Sequence, residues 1–301
     1  MNEKVDTRAD LYPIRKGIDI TPRLSMVLWG LYGAGKSTFA ATAPGNKLWL
    51  SFGSEEHVDV AKRKEKDVEV IEMFHRGRDE IFRDGIGPNP YGLAGRLKDF
   101  DTLVVDSLSH IAQTGLEKAV ADGIGKSNRF SPTMAEPGRS AFGGRNQHLL
   151  MLMKSLMQLT LKHNMHIIFT AHEDDPATKP DGTIEVIRIQ LGGKLINLVS
   201  SSLSEVWNIR QEPGGKRNRI ITTRPSGFRR PMKTRMFDQR GEAAFVLEYD
   251  ANKPDSAPGQ MTIASFYEQW IRTKSRIPVP NNRRGGDDKD NVETKATVKG
   301  E

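Results

Sequence analysis

Apolar residues along this chain fall in short blocks, and the spacing inside each block selects an element. LSMVLWG (Leu24–Gly30) is an unbroken apolar run stopping at a glycine, the pattern of a buried strand. KSTFAATA continues as a helix closed by Pro44–Gly45. KLWLSFG (Lys47–Gly53) and DVEVIEM predict a second and a third strand, and Asp84–Gly92 reads as a turn-rich loop. DTLVVDSLSH (Asp101–His110) is a further strand whose apolar part ends at Asp106. Asp122 to Arg145 is polar, carries glycine and proline, and lacks periodicity, so it reads as a mobile segment. In NQHLLMLMKSLMQLTLKH, Leu149, Leu150, Met153, Leu156, Met157 and Thr160 recur at helical spacing, with Asn164 as the stop. MHIIFTAH (Met165–His172) is the next strand, and EDDPATKPDGTIE a polar loop. GGKLINLVSSSLSEVWNIR reads as helix then strand, and RNRIITTRPSG and AAFVLEYD as late antiparallel partners.

Strands separated by helices imply an α/β fold, a mostly parallel central sheet with helices on both faces and late antiparallel strands. Ligands in such sheets sit at the carboxyl ends of the strands. Gly30, Asp106 and His172 all fall at such ends. The chain divides into an N-terminal arm (1–23), a core (24–273) and a charged tail (274–301) expected to be disordered.

Composition narrows the function classes. Of 301 residues, 37% are hydrophobic, enough for a core, yet no run reaches the roughly 18 apolar residues of a spanning helix, so no membrane partner is expected. MNEKVDTRAD lacks the apolar region of a secretory signal, which fits a cytoplasmic protein. The absence of cysteine excludes disulfides, thiol nucleophiles and cysteine-held zinc. His163, His166 and His172 have no spacing suited to a metal site. A net charge of +7 fits a polyanionic partner if the positive residues cluster. They do so late: Arg210 to Arg240 holds ten Lys/Arg against two Asp/Glu, interleaved with the strand RIITTR so that they should line one surface.

Chemistry enters with Gly30-Leu31-Tyr32-Gly33-Ala34-Gly35-Lys36-Ser37, which matches the phosphate-binding P-loop and is flanked by strand and helix as its mechanism requires. The glycines allow a tight turn of inward N–H groups, and the helix start adds its positive end. Gly30, Gly33, Ala34, Gly35, Lys36, Ser37 and Thr38 would hold ATP, with Lys36 on the β- and γ-phosphates and Ser37 on Mg²⁺. Asp106, at a buried strand end, is the Walker B acid that would hold the same Mg²⁺; the alternative is a helix N-cap, with Ser107 and Ser109 as weaker capping choices. Glu55 or Glu56 would take the proton from the attacking water. His172 would sense the γ-phosphate. Lys126, Arg129, Arg139 and Arg145, with Lys194 and the late cluster, would track a nucleic-acid backbone. Alternatively Arg217, Arg219 or Arg224 would reach a neighbouring subunit's ATP as an arginine finger.

GLYGAGKST, SEEH after the second strand, TLVVDSLSHI and HIIFTAH, followed by LGGKLINLVSSSLSEVWNI and RNRIITTRPSGFRRP, together resemble the RecA-type core ATPases, from about Leu24 to Met236. The overall look is similar to the short phage-encoded recombination and single-strand annealing ATPases. The resemblance implies a RecA-like P-loop core that hydrolyses Mg-ATP and binds single-stranded DNA. It also implies a homo-oligomer, as a ring or short filament, with a single-strand-binding protein as a further partner. It assigns Asp122–Arg145 and Glu173–Gln190 to the two DNA-binding loops, and puts His172 where recombinases usually carry glutamine. A helicase-like or loader motor and a non-catalytic nucleotide-binding scaffold stand as the rival readings.

Overall fold

The computed structural model describes residues 22–53, 68–127, 130–211, 219–225, 227–237, 244–250 and 253–275. Most of the arm, most of the tail, SEEH with Glu55 and Glu56, Arg129 and Arg217 therefore lie outside the described residues.

An eight-stranded sheet organises the molecule, ordered β10-β9-β8-β1-β5-β4-β2-β3. Its strands are β1 (Ser25–Gly30), β2 (Lys47–Ser51), β3 (Val68–Glu72), β4 (Thr102–Asp106), β5 (His166–His172), β8 (Glu205–Gln211), β9 (Arg219–Thr222) and β10 (Ala244–Leu247). The first six pair in parallel; β9 runs antiparallel to β8, and β10 to β9. β1, β4 and β5 read as unbroken apolar runs because both of their faces are covered.

Helices divide between the faces. On one lie α1 (Lys36–Ala40) and α6 (Ile263–Ser275), over Met26, Leu28, Trp49, Val104, Trp207 and Ile221. On the other lie α2 (Arg78–Gly85), α3 (Leu108–Ala121), α4 (Gly138–Lys162) and α5 (Leu195–Ser202), over Val27, Trp29, Leu103, Val105 and Ile167. Alternate residues of one strand thus serve two cores.

Three elements depart from the sequence expectation. Gly138–Arg145, expected in a mobile segment, forms the first turns of α4, because Ile124 folds back onto Ala119 and Gly144 and gives this stretch its own apolar contact. The loop expected at 173–185 contains a small hairpin, β6 (Ala177–Thr178) with β7 (Ile184–Val186). Asp84–Gly92 begins inside α2, and Pro90–Gly95 is a 3₁₀ turn.

Candidate functional site

β5 lies between β1 and β4, so the ends of three strands converge, with Gly30 in register with His172. Gly30 is dictated by packing: a Cβ there would sit 2.0 Å from the Ile209 carbonyl oxygen of β8. Any side chain would push the following loop off the sheet. The loop closes with the Ala34 N–H donating to the Leu31 carbonyl at 3.2 Å. Gly35 takes φ +93°, left-handed backbone that glycine adopts without a Cβ clash. Lys36, Ser37 and half-buried Thr38 then form the first turn of α1, where N–H groups have no helical acceptor.

Lys36 is buried, and its Nζ donates to the carbonyls of Gly30 (3.1 Å) and Leu31 (2.8 Å). Burial pushes the ammonium down to about 8, against the upward pull of Asp106 and Glu173. It remains protonated at neutral pH, held beneath the loop. Ser37 Oγ donates to Asp106 Oδ2 at 2.7 Å, and the Thr170 hydroxyl of β5 donates to Oδ1. A hydroxyl and a buried carboxylate at the mouth of a glycine loop form the oxygen donor set that Mg²⁺ prefers. The residues present therefore fit both the polyphosphate and the ion.

Capping is resolved in favour of Ser107. Its Oγ accepts the His110 N–H at 3.4 Å and lies 2.8 Å from His110 Nδ1, so Asp106 is not the cap of α3. Ser109 Oγ accepts the His172 N–H at 2.9 Å. The His172 ring stacks on Tyr32 of the loop, centroids 3.9 Å apart, and meets His110 edge-on at 5.3 Å. These rings, with Arg145, Asp174 and Gln190, line a cavity of about 300 Å³ beside the loop.

Two polar residues beside the site, Glu173 and Asn208, are not singled out by the sequence. Glu173, directly after His172, is buried; Arg229 pairs with it at 3.1 Å and Asn208 Nδ2 donates to it at 3.3 Å. Asn208 also donates to the Trp29 carbonyl at 3.2 Å, which ties this carboxylate to β1. The sequence signal was present: an acid following the polar end of an apolar strand.

Among the described residues, several members of the late basic cluster are engaged within the fold, whereas Arg230 and Arg235 are exposed. Arg229 is spent on Glu173, Lys233 Nζ donates to the Leu203 and Ser200 carbonyls, and Arg224 donates to the Phe237 carbonyl at 3.4 Å. Arg219, one of three candidates for a neighbouring subunit's site, packs on the loop of its own chain: its Nε lies 2.7 Å from the point a Gly35 Cβ would occupy. The physical reason is chain position: Arg219 opens β9, whereas Arg224, Arg229 and Lys233 follow it on irregular backbone and each meets a different neighbour. Arg139 and Lys194 are exposed, Lys194 at the N-cap of α5. Arg145 is half-buried: it donates to Asn146 Oδ1 and lies over the Phe142 ring.

A family model described as an AAA domain matches residues 23–230, which include every strand from β1 to β9. No curated protein matches the chain. No helix among the described residues is long and apolar enough to cross a membrane.

Proposed function

We propose, from a chain that belongs to the AAA-domain family of P-loop ATPases, that it binds Mg-ATP and couples its hydrolysis to the handling of single-stranded DNA. The observation that carries the ATP half is the 2.7 Å contact between Ser37 and buried Asp106, with the Lys36 ammonium held under the same loop. Mg²⁺, when bound, would supply charge neutralisation between the phosphates. Lys36 and the loop N–H groups orient the polyphosphate, and Thr170 holds Asp106 Oδ1 while Oδ2 accepts from Ser37. In this reading His172 reports on the terminal phosphate, and its ring contacts with Tyr32 on one side and His110 of α3 on the other support that role. Glu55 or Glu56 activates the attacking water in this reading.

Support for the DNA half comes from exposed cations on segments tied to the same site. Lys126 lies in the α3–α4 connection and Arg139 in the first turn of α4, and Lys179, Arg188 and Lys194 follow β5, which ends at His172. Assembly of several copies would bring such segments together along one strand of DNA. ATP turnover, measured with and without single-stranded DNA while particle size is followed in the same samples, tests the whole reading. Expected is a DNA-stimulated rate and DNA binding that weakens steeply with salt. A rate indifferent to DNA, with no salt-sensitive binding, removes the DNA half and leaves the ATPase; no turnover at all favours a nucleotide-binding scaffold.

A further inference from the structure

Arg219 stands apart from the other late cations because of where its charge is left. It opens β9 in register with Gln211, the last residue of β8, and both side chains fall on the α1 face of the sheet, as Ile209 and Ile221 do. Gln211 Nε2 lies 3.5 Å from the Gly33 carbonyl, and the Arg219 guanidinium lies over Gly35. The hairpin thus forms one wall of the phosphate loop, opposite Tyr32 and His172. Among the described residues no carboxylate pairs with Arg219. Its partial burial removes water from the charge, and burial alone holds its pKa below the usual guanidinium value. A guanidinium kept half out of water without an anion beside it is costly unless an anion arrives. Planar, with several fixed donors, it suits phosphate oxygens in particular.

We propose that Arg219 binds the polyphosphate of the nucleotide in its own subunit, acting in cis from the β8–β9 hairpin rather than in trans on a neighbour. This rests on the reading of the loop as an ATP site and adds a residue to it. It also gives Gly35 a second reason to be glycine: a side chain there would displace the guanidinium as well as strain the turn. The hairpin then becomes the element that feels whether the loop is filled, through Gln211 on Gly33 and Arg219 on the phosphates.

The test combines binding and subunit mixing. Binding of a fluorescent methylanthraniloyl-ATP with Mg²⁺ is measured for the full chain, Arg219→Ala and Arg219→Lys. Expected is a loss of about tenfold or more for alanine, the scale of one charge-assisted contact, with partial recovery for lysine. Unchanged affinity in Arg219→Ala overturns the proposal. Arg219→Ala protein is then mixed with Lys36→Ala protein and turnover is followed. A residue acting in cis gives no recovery, because no subunit holds both groups. Turnover above the sum of the two separate proteins means Arg219 serves a neighbour and overturns the proposal. Should the unaltered chain bind no nucleotide, the ATP reading itself fails, an outcome distinct from either result with Arg219.

Discussion

The two edges of the sheet each bury a basic side chain, and they treat it in opposite ways. At the amino edge, His166 opens β5; its Nδ1 accepts the Leu24 N–H at 3.0 Å and Tyr267 packs edge-on against its ring. Burial drives the imidazole down to about 4, so it is neutral and serves as an acceptor that joins β1 to β5. At the carboxyl edge, Lys36 is lowered only to about 8 and keeps its charge at neutral pH, with backbone carbonyls as its hydrogen-bond acceptors. One edge uses burial to remove a charge and gains a strand contact. The other keeps a charge in place at a cost to stability, because an anion is to be met there.

The largest test of that contrast is Lys36→Met. Nucleotide binding should fall at least a hundredfold in a fluorescent-ATP titration, yet the nucleotide-free fold should become more stable. The sign follows from proton counts. Between pH 8 and the ordinary lysine value of 10.5 the unfolded chain binds more protons than the folded one, so stability rises with pH there. Below pH 8 the full penalty is present, on the order of 3 kcal/mol. Denaturant midpoints should favour Lys36→Met at pH 7 and converge with the unaltered chain toward pH 10. A less stable Lys36→Met at pH 7 would mean that its two carbonyl contacts outweigh desolvation.

Residue order made the carboxyl edge largely legible and left the walls around it obscure. The glycine loop, Asp106 and His172 are local signals, each a polar residue at the end of an apolar run, and strand alternation then places them together. Glu173 was hidden because its partner, Arg229, lies 56 residues away and looked like part of a basic surface. Arg219 lies in the same basic run, and charge density along a sequence does not say which face of a hairpin each charge takes. The α6 helix carried its signal openly in Ile263, Phe266, Tyr267, Trp270 and Ile271, spaced on one face, but it follows a polar loop and was absorbed into the end of the core. Its start is fixed by Thr42, whose Oγ1 accepts the Ile263 N–H at 2.9 Å, so the last helix clamps the segment leaving α1. Short α2 gave little to read, since only Ile81 and Phe82 of its side chains reach the core.

Acid should act on the other edge. His166 has a folded value of about 4 against 6.5 in the unfolded chain, so the unfolded chain binds more protons between these values. The contribution is fully present above pH 6.5 and is lost as pH falls through 4, on the order of 3 kcal/mol in total. His166→Asn keeps an acceptor for the Leu24 N–H without titrating there. Denaturant unfolding from pH 7 to pH 4 should therefore cost the unaltered chain more than this variant. Equal losses would show that His166 does not govern the amino edge in acid.

The smallest effect expected lies at the turn that delivers β5 to that edge. α4 ends with Asn164 in left-handed backbone, φ 57°, with its N–H on the Leu161 carbonyl at 3.3 Å and the Met165 N–H on Thr160 at 2.9 Å. This pair of bonds is the Schellman arrangement, with Asn164 in the position glycine usually takes. It reverses the chain within one residue, so His166 starts β5 in register and His172 arrives beside Gly30. Asn164→Ala should cost about 1 kcal/mol, because alanine lacks asparagine's local polar compensation for a positive φ. Asn164→Gly should stay within about 0.5 kcal/mol of the unaltered chain, relief of the Cβ offsetting the added freedom of the unfolded state. Both variants should bind nucleotide unchanged in the same titration. Weaker ATP binding in Asn164→Ala would mean that the turn transmits strain along β5 to His172, and the two edges would then be one coupled unit rather than two.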